Sequence, residues 1–246
     1  MDKQQRVWFL DEARGLSVLL MVLHHGAYDA VFLLGWPPPF LFSGWFGVIR
    51  AFFAGVFVLI SGCACRLSRN NLRRGARCLL LAAGLSLVTA LLIPSQRIRF
   101  GVLHLLGCAM LLYPVFRPLL DRFPPLPGAV ACFLLFWVTY PVNRGKIGML
   151  IWQVDLPTFL YRNFATAILG FPPYHFVSSD YYPLLPWIFL FFCGSLLGRI
   201  LVGCGNRPAL FRSHCRPLAF LGRHSFIIYL VHQPVLYGLF LLAGQV

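Results

Sequence analysis

Residues 183–203 read PLLPWIFLFFCGSLLGRILVG, an apolar run interrupted by one charge, Arg199. As a helix, a run of that length crosses about 30 Å, the hydrocarbon thickness of a bilayer. Similar runs occupy roughly 7–27, 45–65, 78–94, 100–116, 128–142 and 220–242. They predict an all-α, polytopic integral membrane helix bundle of about seven transmembrane helices. Composition agrees. Of 246 residues, 59% are hydrophobic and 11% charged, whereas a soluble domain carries about 25% charged residues. Mean hydropathy is +0.76. The connections are too short for a separate globular part, so residues 1–246 read as a single transmembrane domain.

The net charge of +14 comes from 21 basic and 7 acidic residues. On a soluble chain it would suggest nucleic acid; on this one it reports topology, and no nucleic-acid partner is expected. With the N-terminus inside, one face collects Lys3, Arg6, Arg66, Arg69, Arg73, Arg74, Arg77, Arg117, Arg122, Arg199, Arg207, Arg212, Arg216 and Arg223. The other collects Arg97, Arg99, Arg144, Lys146 and Arg162. Because basic loops resist translocation, this asymmetry predicts N-in and C-out, in a multi-pass protein of the cell (cytoplasmic) membrane. Asp11, Glu12 and Arg14 interrupt the first apolar stretch and no small-residue cleavage site follows, so the first helix is expected to be retained. The eight cysteines form no CxxC pair. Neither a disulfide framework nor a zinc site is indicated, and no metal is expected. Neither GxGxxG nor a Walker sequence is present, which excludes soluble-type nucleotide folds.

Residues 151–171, IWQVDLPTFLYRNFATAILGF, are nearly apolar enough for a further span. Asp155, Pro157 and Arg162 would be costly in lipid, and another crossing would reverse the charge count. The segment reads as interfacial or re-entrant, inside a long outer loop of the kind that covers a site.

Ionisable groups at membrane depth are functional candidates by default. The first helix holds Asp11, Arg14, His24, His25 and Asp29. At 100° per residue Arg14 and His25 fall within about 20° of one face, with His24 about 100° away. Asp29, four residues beyond His25, is placed to fix the imidazole's tautomer. The bland alternative has Asp11 and Arg14 snorkelling to the inner interface while His25 caps the outer end. His104 follows Arg97 by seven residues, beside Gly101 and Gly107; on its own it would be a packing histidine. Ser225, Tyr229 and His232 form a polar stripe on the last helix, with an interhelical hydrogen-bond seam as the plain reading. The loop CRLSRNNLRRGARC (65–78) supplies Arg69, Arg73 and Arg74, explained by topology alone or by phosphate binding, which suits guanidinium forks.

Five stretches, taken in order, carry a resemblance: RVWFLDEARGLSVLLMVLHHGAYD (6–29), FAGVFVLISGCACRLSRNNLRRG (53–75), RIRFGVLHLLGCAMLLYP (97–114), SSDYYPLLPWIFLFFCGSLLGR (178–199) and FLGRHSFIIYLVHQPVL (220–236). Together they resemble the bacterial heparan-alpha-glucosaminide N-acetyltransferase catalytic-domain family, formerly a domain of unknown function, within the wider transmembrane acyltransferases. In that wider group an arginine and a histidine separated by ten residues mark the first helix, and Arg14 and His25 have that spacing. The resemblance implies acetyl-CoA taken from the cytoplasmic side and an acyl group passed to a sugar amine or hydroxyl at the outer face. The lysosomal enzyme of this group has more spans and places a catalytic histidine in the loop after the first helix. Here that loop, WPPPFLFSGW (36–45), has none, and His25 takes the place.

The implied assignments are His25 as general base or acyl carrier, Asp29 as its orienting carboxylate and His104 as oxyanion donor. Arg14, Arg69, Arg73 and Arg74 would hold the acyl-CoA cofactor; Asp180, Arg97 and His232 would bind the acceptor. Expected partners are acyl-CoA, a sugar or glycan, the lipid bilayer and, as a candidate, a second copy in a homodimer. Two rival readings share these residues. A transporter or flippase for a small polar or sugar-linked solute predicts inverted repeats, which are not found. A bis-histidine haem protein would pair histidines such as His104 and His232.

Overall fold

The computed structural model describes residues 7–35, 44–203 and 212–243. Lys3, Arg6 and Arg207 of the charge count, and positions 36–43 of the loop after the first helix, lie outside them. Eight α-helices are described: α1 Trp8–Leu34, α2 Gly44–Leu67, α3 Asn71–Leu92, α4 Val102–Leu120, α5 Pro125–Thr139, α6 Leu184–Gly203, α7 Arg216–Arg223 and α8 Ser225–Ala243. Six of them, α2 to α6 and α8, are long and apolar enough to cross a membrane. The chain is a multi-pass membrane protein. By length α1 qualifies as a seventh, since 27 residues reach about 40 Å, but it carries Asp11, Glu12, Arg14 and Asp29.

Two boundaries differ from the sequence reading. Helix α3 starts at Asn71, capped by Asn70, whose side chain accepts from the Arg73 N–H at 2.9 Å. Asparagine is among the best N-caps, so Arg73, Arg74 and Arg77 stand on the first turns of a helix instead of in a loop. The stretch expected as one helix over 220–242 is two, with His224 (φ −101°, ψ 10°) outside helical geometry between α7 and α8. Residues 151–171 contain no α-helix. Strand β1, Lys146–Met149, pairs antiparallel with β2, Trp152–Asp155, Lys146 opposite Asp155 and Met149 opposite Trp152. Two short 3-10 turns follow, Thr158–Tyr161 and Ala165–Ile168.

The chain divides into two compact units, residues 1–60 with 204–246, and residues 61–203. In the first, α1 packs on α7 and α8. Backbones touch where α1 meets α7: a Cβ on Gly15 would lie 1.9 Å from the Leu218 carbonyl oxygen, and one on Gly222 would lie 1.8 Å from that of Asp11. Small residues allow this approach. The same contact answers how α1 tolerates its charges. The Glu12 Oε1 atom accepts from Ser213 Oγ at 3.0 Å and from the backbone N–H groups of His214 and Cys215 at 2.6 and 2.8 Å. Those donors lead into α7, so the carboxylate meets the positive end of that helix. Arg14 pairs with Asp11 at 3.5 Å.

In the second unit α3 lies against α4, and α5 and α4 against α6. The end of α2 meets α6, where a Cβ on Gly62 would come 2.0 Å from the Phe191 carbonyl oxygen and Cys63 Sγ donates to the Gly194 oxygen at 2.9 Å. Tyr113, Leu105 and Phe191 are fully buried in this core. Just past α4, Asp121 faces the Arg66 guanidinium at 2.8 Å and Arg117 at 3.4 Å. Arg66 also donates to the Tyr113 hydroxyl at 3.2 Å, while Arg199 donates to the carbonyl oxygens of Asp121 and Phe123.

A carboxylate at a helix C-terminus opposes the macrodipole, so these arginines offset an unfavourable position. Burial pushes the Asp121 carboxyl up, but the bonds and charge of Arg66 and then Arg117 outweigh it and hold it below the usual range. The folded state therefore binds this proton more weakly than the unfolded chain. The stabilisation is present above the unfolded carboxylate pKa of about 3.9 and is lost as pH falls through the lower folded value. Asp121→Asn is expected to lower the melting temperature at pH 7 and to converge on the parent towards pH 3, as read by thermal denaturation across that range.

Candidate functional site

The first unit brings His24, His25 and His232 together. His25 on α1 and His232 on α8 have ring centroids 5.0 Å apart, tilted 59°, and His24 meets His25 edge-on at 5.4 Å. Helix α8 is apolar along its length, and its buried residues are Ser225 and His232. A buried imidazole on such a helix needs partners. His232 Nδ1 lies 2.7 Å from the Tyr229 carbonyl oxygen. A carbonyl only accepts, so the proton sits on Nδ1 and the Nε2 lone pair is left open. That Nε2 atom is buried with no hydrogen-bond partner. A neutral imidazole with a backed N–H and an open lone pair is poised as a base or nucleophile.

Asp29 is buried one helical turn beyond His25. Its carboxylate accepts at both oxygens from Gln233 Nε2, at 3.1 Å each, so the expected orienter of His25 instead ties α1 to α8. The Gln233 carbonyl Oε1 is left buried and unpartnered. Gln233, adjacent to His232, was not singled out by sequence; a polar residue flanking a histidine within an apolar run was the available signal. Arg50 was also passed over. Standing on α2 near its start, its charge acts on both His24 and His25. Arg14, expected near the cofactor, is half-buried and engaged with Asp11.

In the second unit, the N-terminus of α4 takes His104 and Asp180 together. His104 Nδ1 accepts from the Gly101 N–H at 3.2 Å, and Asp180 Oδ2 accepts from the Val102 N–H at 3.0 Å. Two of the helix's orphan donors are thereby satisfied. Because Nδ1 accepts, the neutral ring carries its proton on Nε2, 3.4 Å from Ser86 Oγ. His104 thus acts as a cap, with one N–H directed at Ser86. The segment bearing Asp180 runs alongside residues 96–102: Ser178 Oγ accepts from the Arg99 N–H, and Tyr182 N–H donates to the Phe100 oxygen. Arg97 is exposed, its carbonyl accepting from the Ser179 N–H. Arg69, Arg73 and Arg74 are all exposed around the start of α3.

A family model described as heparan-alpha-glucosaminide N-acetyltransferase, catalytic, matches residues 6–234. The chain belongs to this family. The matched stretch begins before α1 and ends within α8, one residue past Gln233, and so takes in every candidate residue above. Membership makes the protein a transferase of the acyltransferase kind, and the family in general uses acetyl-CoA as the acetyl donor. No curated protein and no solved structure shows a match to the chain.

Proposed function

We propose that the chain is a single-domain, multi-pass acetyltransferase of the cell membrane, oriented N-in and C-out, moving an acetyl group from acetyl-CoA to the amine or hydroxyl of a sugar. The observation that supports it most is the His25–His232 pair, a half-buried imidazole on α1 facing a buried one on α8 inside the family-matched segment. In this reading His25 and His232 take the proton of the attacking amine or hydroxyl, and Asp29 and Gln233 hold α1 and α8 so that the rings stay opposed. Arg69, Arg73 and Arg74 meet the phosphates of acetyl-CoA on the cytoplasmic side, because guanidinium forks fit phosphate oxygens. Arg14 remains a candidate for the donor and Arg97 for the acceptor, while His104 is read as the cap of α4 and not as an oxyanion donor. Carbonyl carbon passes from sulfur to nitrogen or oxygen, the thiolate leaves as CoA, and the acceptor's proton leaves through an imidazole.

Purified protein given acetyl-labelled acetyl-CoA and glucosamine is expected to move label to the sugar and release one CoA per acetyl transferred. Replacing Arg69, Arg73 and Arg74 together by glutamine is expected to raise the KM for acetyl-CoA at least tenfold while kcat is kept. Vectorial uptake of glucosamine into proteoliposomes without CoA release would favour the transporter reading instead.

A further inference from the structure

Past the end of α5 the chain turns back on itself. A 3-10 turn, Tyr140–Arg144, is closed by Gly145 at φ +81°, whose N–H donates to the Val142 oxygen at 3.1 Å. Strand β1 follows and packs against α5. The span that contains α5 runs Pro125–Arg144, and its Val130, Phe133, Leu134 and Trp137 are exposed. On a helix that crosses a membrane such side chains face the acyl chains. The hairpin of β1 and β2 is thus folded against the end of a lipid-facing surface.

Polarity changes along the hairpin. Lys146 stands opposite Asp155 at the base, where the Leu156 N–H also donates to the Gly145 oxygen at 2.7 Å, and Met149 stands opposite Trp152 at the far end. Leu150 and Ile151 alone connect the strands. Leu150 is 88% exposed, Ile151 wholly so and Trp152 66%. Leu150 also holds φ +45°, a left-handed conformation in which a β-carbon is strained and where hairpin turns favour glycine, asparagine or aspartate. Two bare aliphatic side chains on such a turn serve neither the turn nor the core of this unit. A local rule broken without a gain in packing points to a contact outside the chain.

Three features select lipid as that contact. The lipid face of α5 leads directly to the base of the hairpin, and a tryptophan beside the apolar tip suits the membrane–water interface. Reach agrees as well: the steps from Lys146 to Met149 cover about 10 Å, the depth to which surface-bound segments enter the boundary between headgroups and acyl chains. The backbone sets the limit on insertion. A two-stranded ladder has two unpaired edges, whose N–H and C=O groups hydrocarbon leaves unsatisfied, so the tip enters and the base stays wet.

We propose that this hairpin is a shallow membrane anchor, with Leu150, Ile151 and Trp152 inserted into the leaflet at which α5 ends and Lys146 and Asp155 at headgroup level. The anchor pins the connection between α5 and α6 to the membrane surface. It stands independently of the acetyltransferase reading.

Protein reconstituted at one copy per phosphatidylcholine nanodisc tests it, with the emission of Trp152 taken as the difference between the parent and Trp152→Phe. Lipids brominated near the glycerol end of the acyl chain are expected to quench that emission at least twice as strongly as lipids brominated near the methyl end. Aqueous iodide is expected to quench it at least fivefold less than a free indole. Leu150→Gly combined with Ile151→Ser suits the turn while removing both apolar side chains; the melting temperature should hold and the bromolipid quenching of Trp152 should fall at least twofold. A polarity-sensitive dye on Ile151→Cys, corrected for labelling of the parent's own cysteines, repeats the reading without altering Trp152 and should emit to the blue of the free dye. Iodide quenching equal to that of the free indole puts the tip in water and overturns the anchor. Protection without bromolipid quenching, or protection found only in vesicles holding several copies, assigns the tip to a protein contact and overturns it too. Stronger quenching from the methyl end overturns the shallow placement, and quenching unmoved by loss of the two aliphatic side chains takes them out of the contact.

Discussion

Gly222→Ala is expected to cost more stability than any other single methyl added to the first unit. Overpacking a well-filled core typically costs about 1–3 kcal/mol, because neighbouring side chains shift to make room. Here the obstacle is backbone: the new carbon would sit 1.8 Å from the Asp11 carbonyl oxygen and 2.7 Å from its carbon. A main-chain atom inside α1 moves only if the helix moves, so the cost is expected to exceed about 3 kcal/mol. Gly15→Ala should reproduce it from the opposite side. Separation of α7 from α1 also withdraws the donors on which Glu12 depends, leaving a buried carboxylate without its partners. Gly238→Ala on α8 is the control, since a Cβ there meets nothing within 4 Å and alanine favours the helix. Thermal denaturation of the three variants should show a large loss for Gly15 and Gly222 and none for Gly238. Comparable melting of Gly222→Ala and the parent would mean that the two helices do not touch at these glycines.

Much of the bundle could be read in advance because lipid imposes one simple requirement. Runs such as 183–203 have to satisfy their backbone internally, and α6 begins and ends within a residue of its expected bounds. Errors arose where a different force set the boundary. Arg73, Arg74 and Arg77 read as loop because they are charged, yet Asn70 caps a helix that includes them, and the first turns of a helix tolerate charge where the side chains are exposed. The stretch 151–171, expected as interfacial or re-entrant, holds no α-helix, and the pairing of its strand β2 with β1 just before it is something no single-segment pattern announces. The candidate site divides in the same way. That His25 and His232 are unusual in a membrane is legible from each residue separately, whereas their opposition across α1 and α8 depends on how the two helices pack. That His104 and Asp180 share the start of α4 was hidden, because the contact joins residues 76 positions apart through main-chain donors. Sequence shows which groups lipid cannot leave alone; it does not show which of them have already found a partner.

This distinction separates the histidines experimentally. His232→Ala is expected to lower kcat for acetyl transfer by about 10²–10⁴, the usual contribution of a positioned base, with little change in melting temperature, because the side chain's hydrogen bonds return to its own helix, at the carbonyls of Tyr229 and Ile228. His25→Ala should fall in the same range, since the two rings share one site. Effects of groups acting as a unit are not additive, so the double variant should be barely slower than the worse single one. His104→Ala should show the opposite pattern, a lower melting temperature with a rate within a few-fold of the parent, because its Nδ1 holds a helix start. Assay of label transfer alongside melting, each variant being compared at a temperature where it is folded, distinguishes these outcomes. Undiminished transfer in both His25→Ala and His232→Ala would remove the pair from the chemistry. A His104→Ala enzyme that melts like the parent but has lost its rate would restore that residue to the oxyanion role. The prediction turns on which lone pair is open: at His232 the backbone fixes the proton on Nδ1 and leaves Nε2 for the reaction, whereas at His104 the backbone has already taken the open atom.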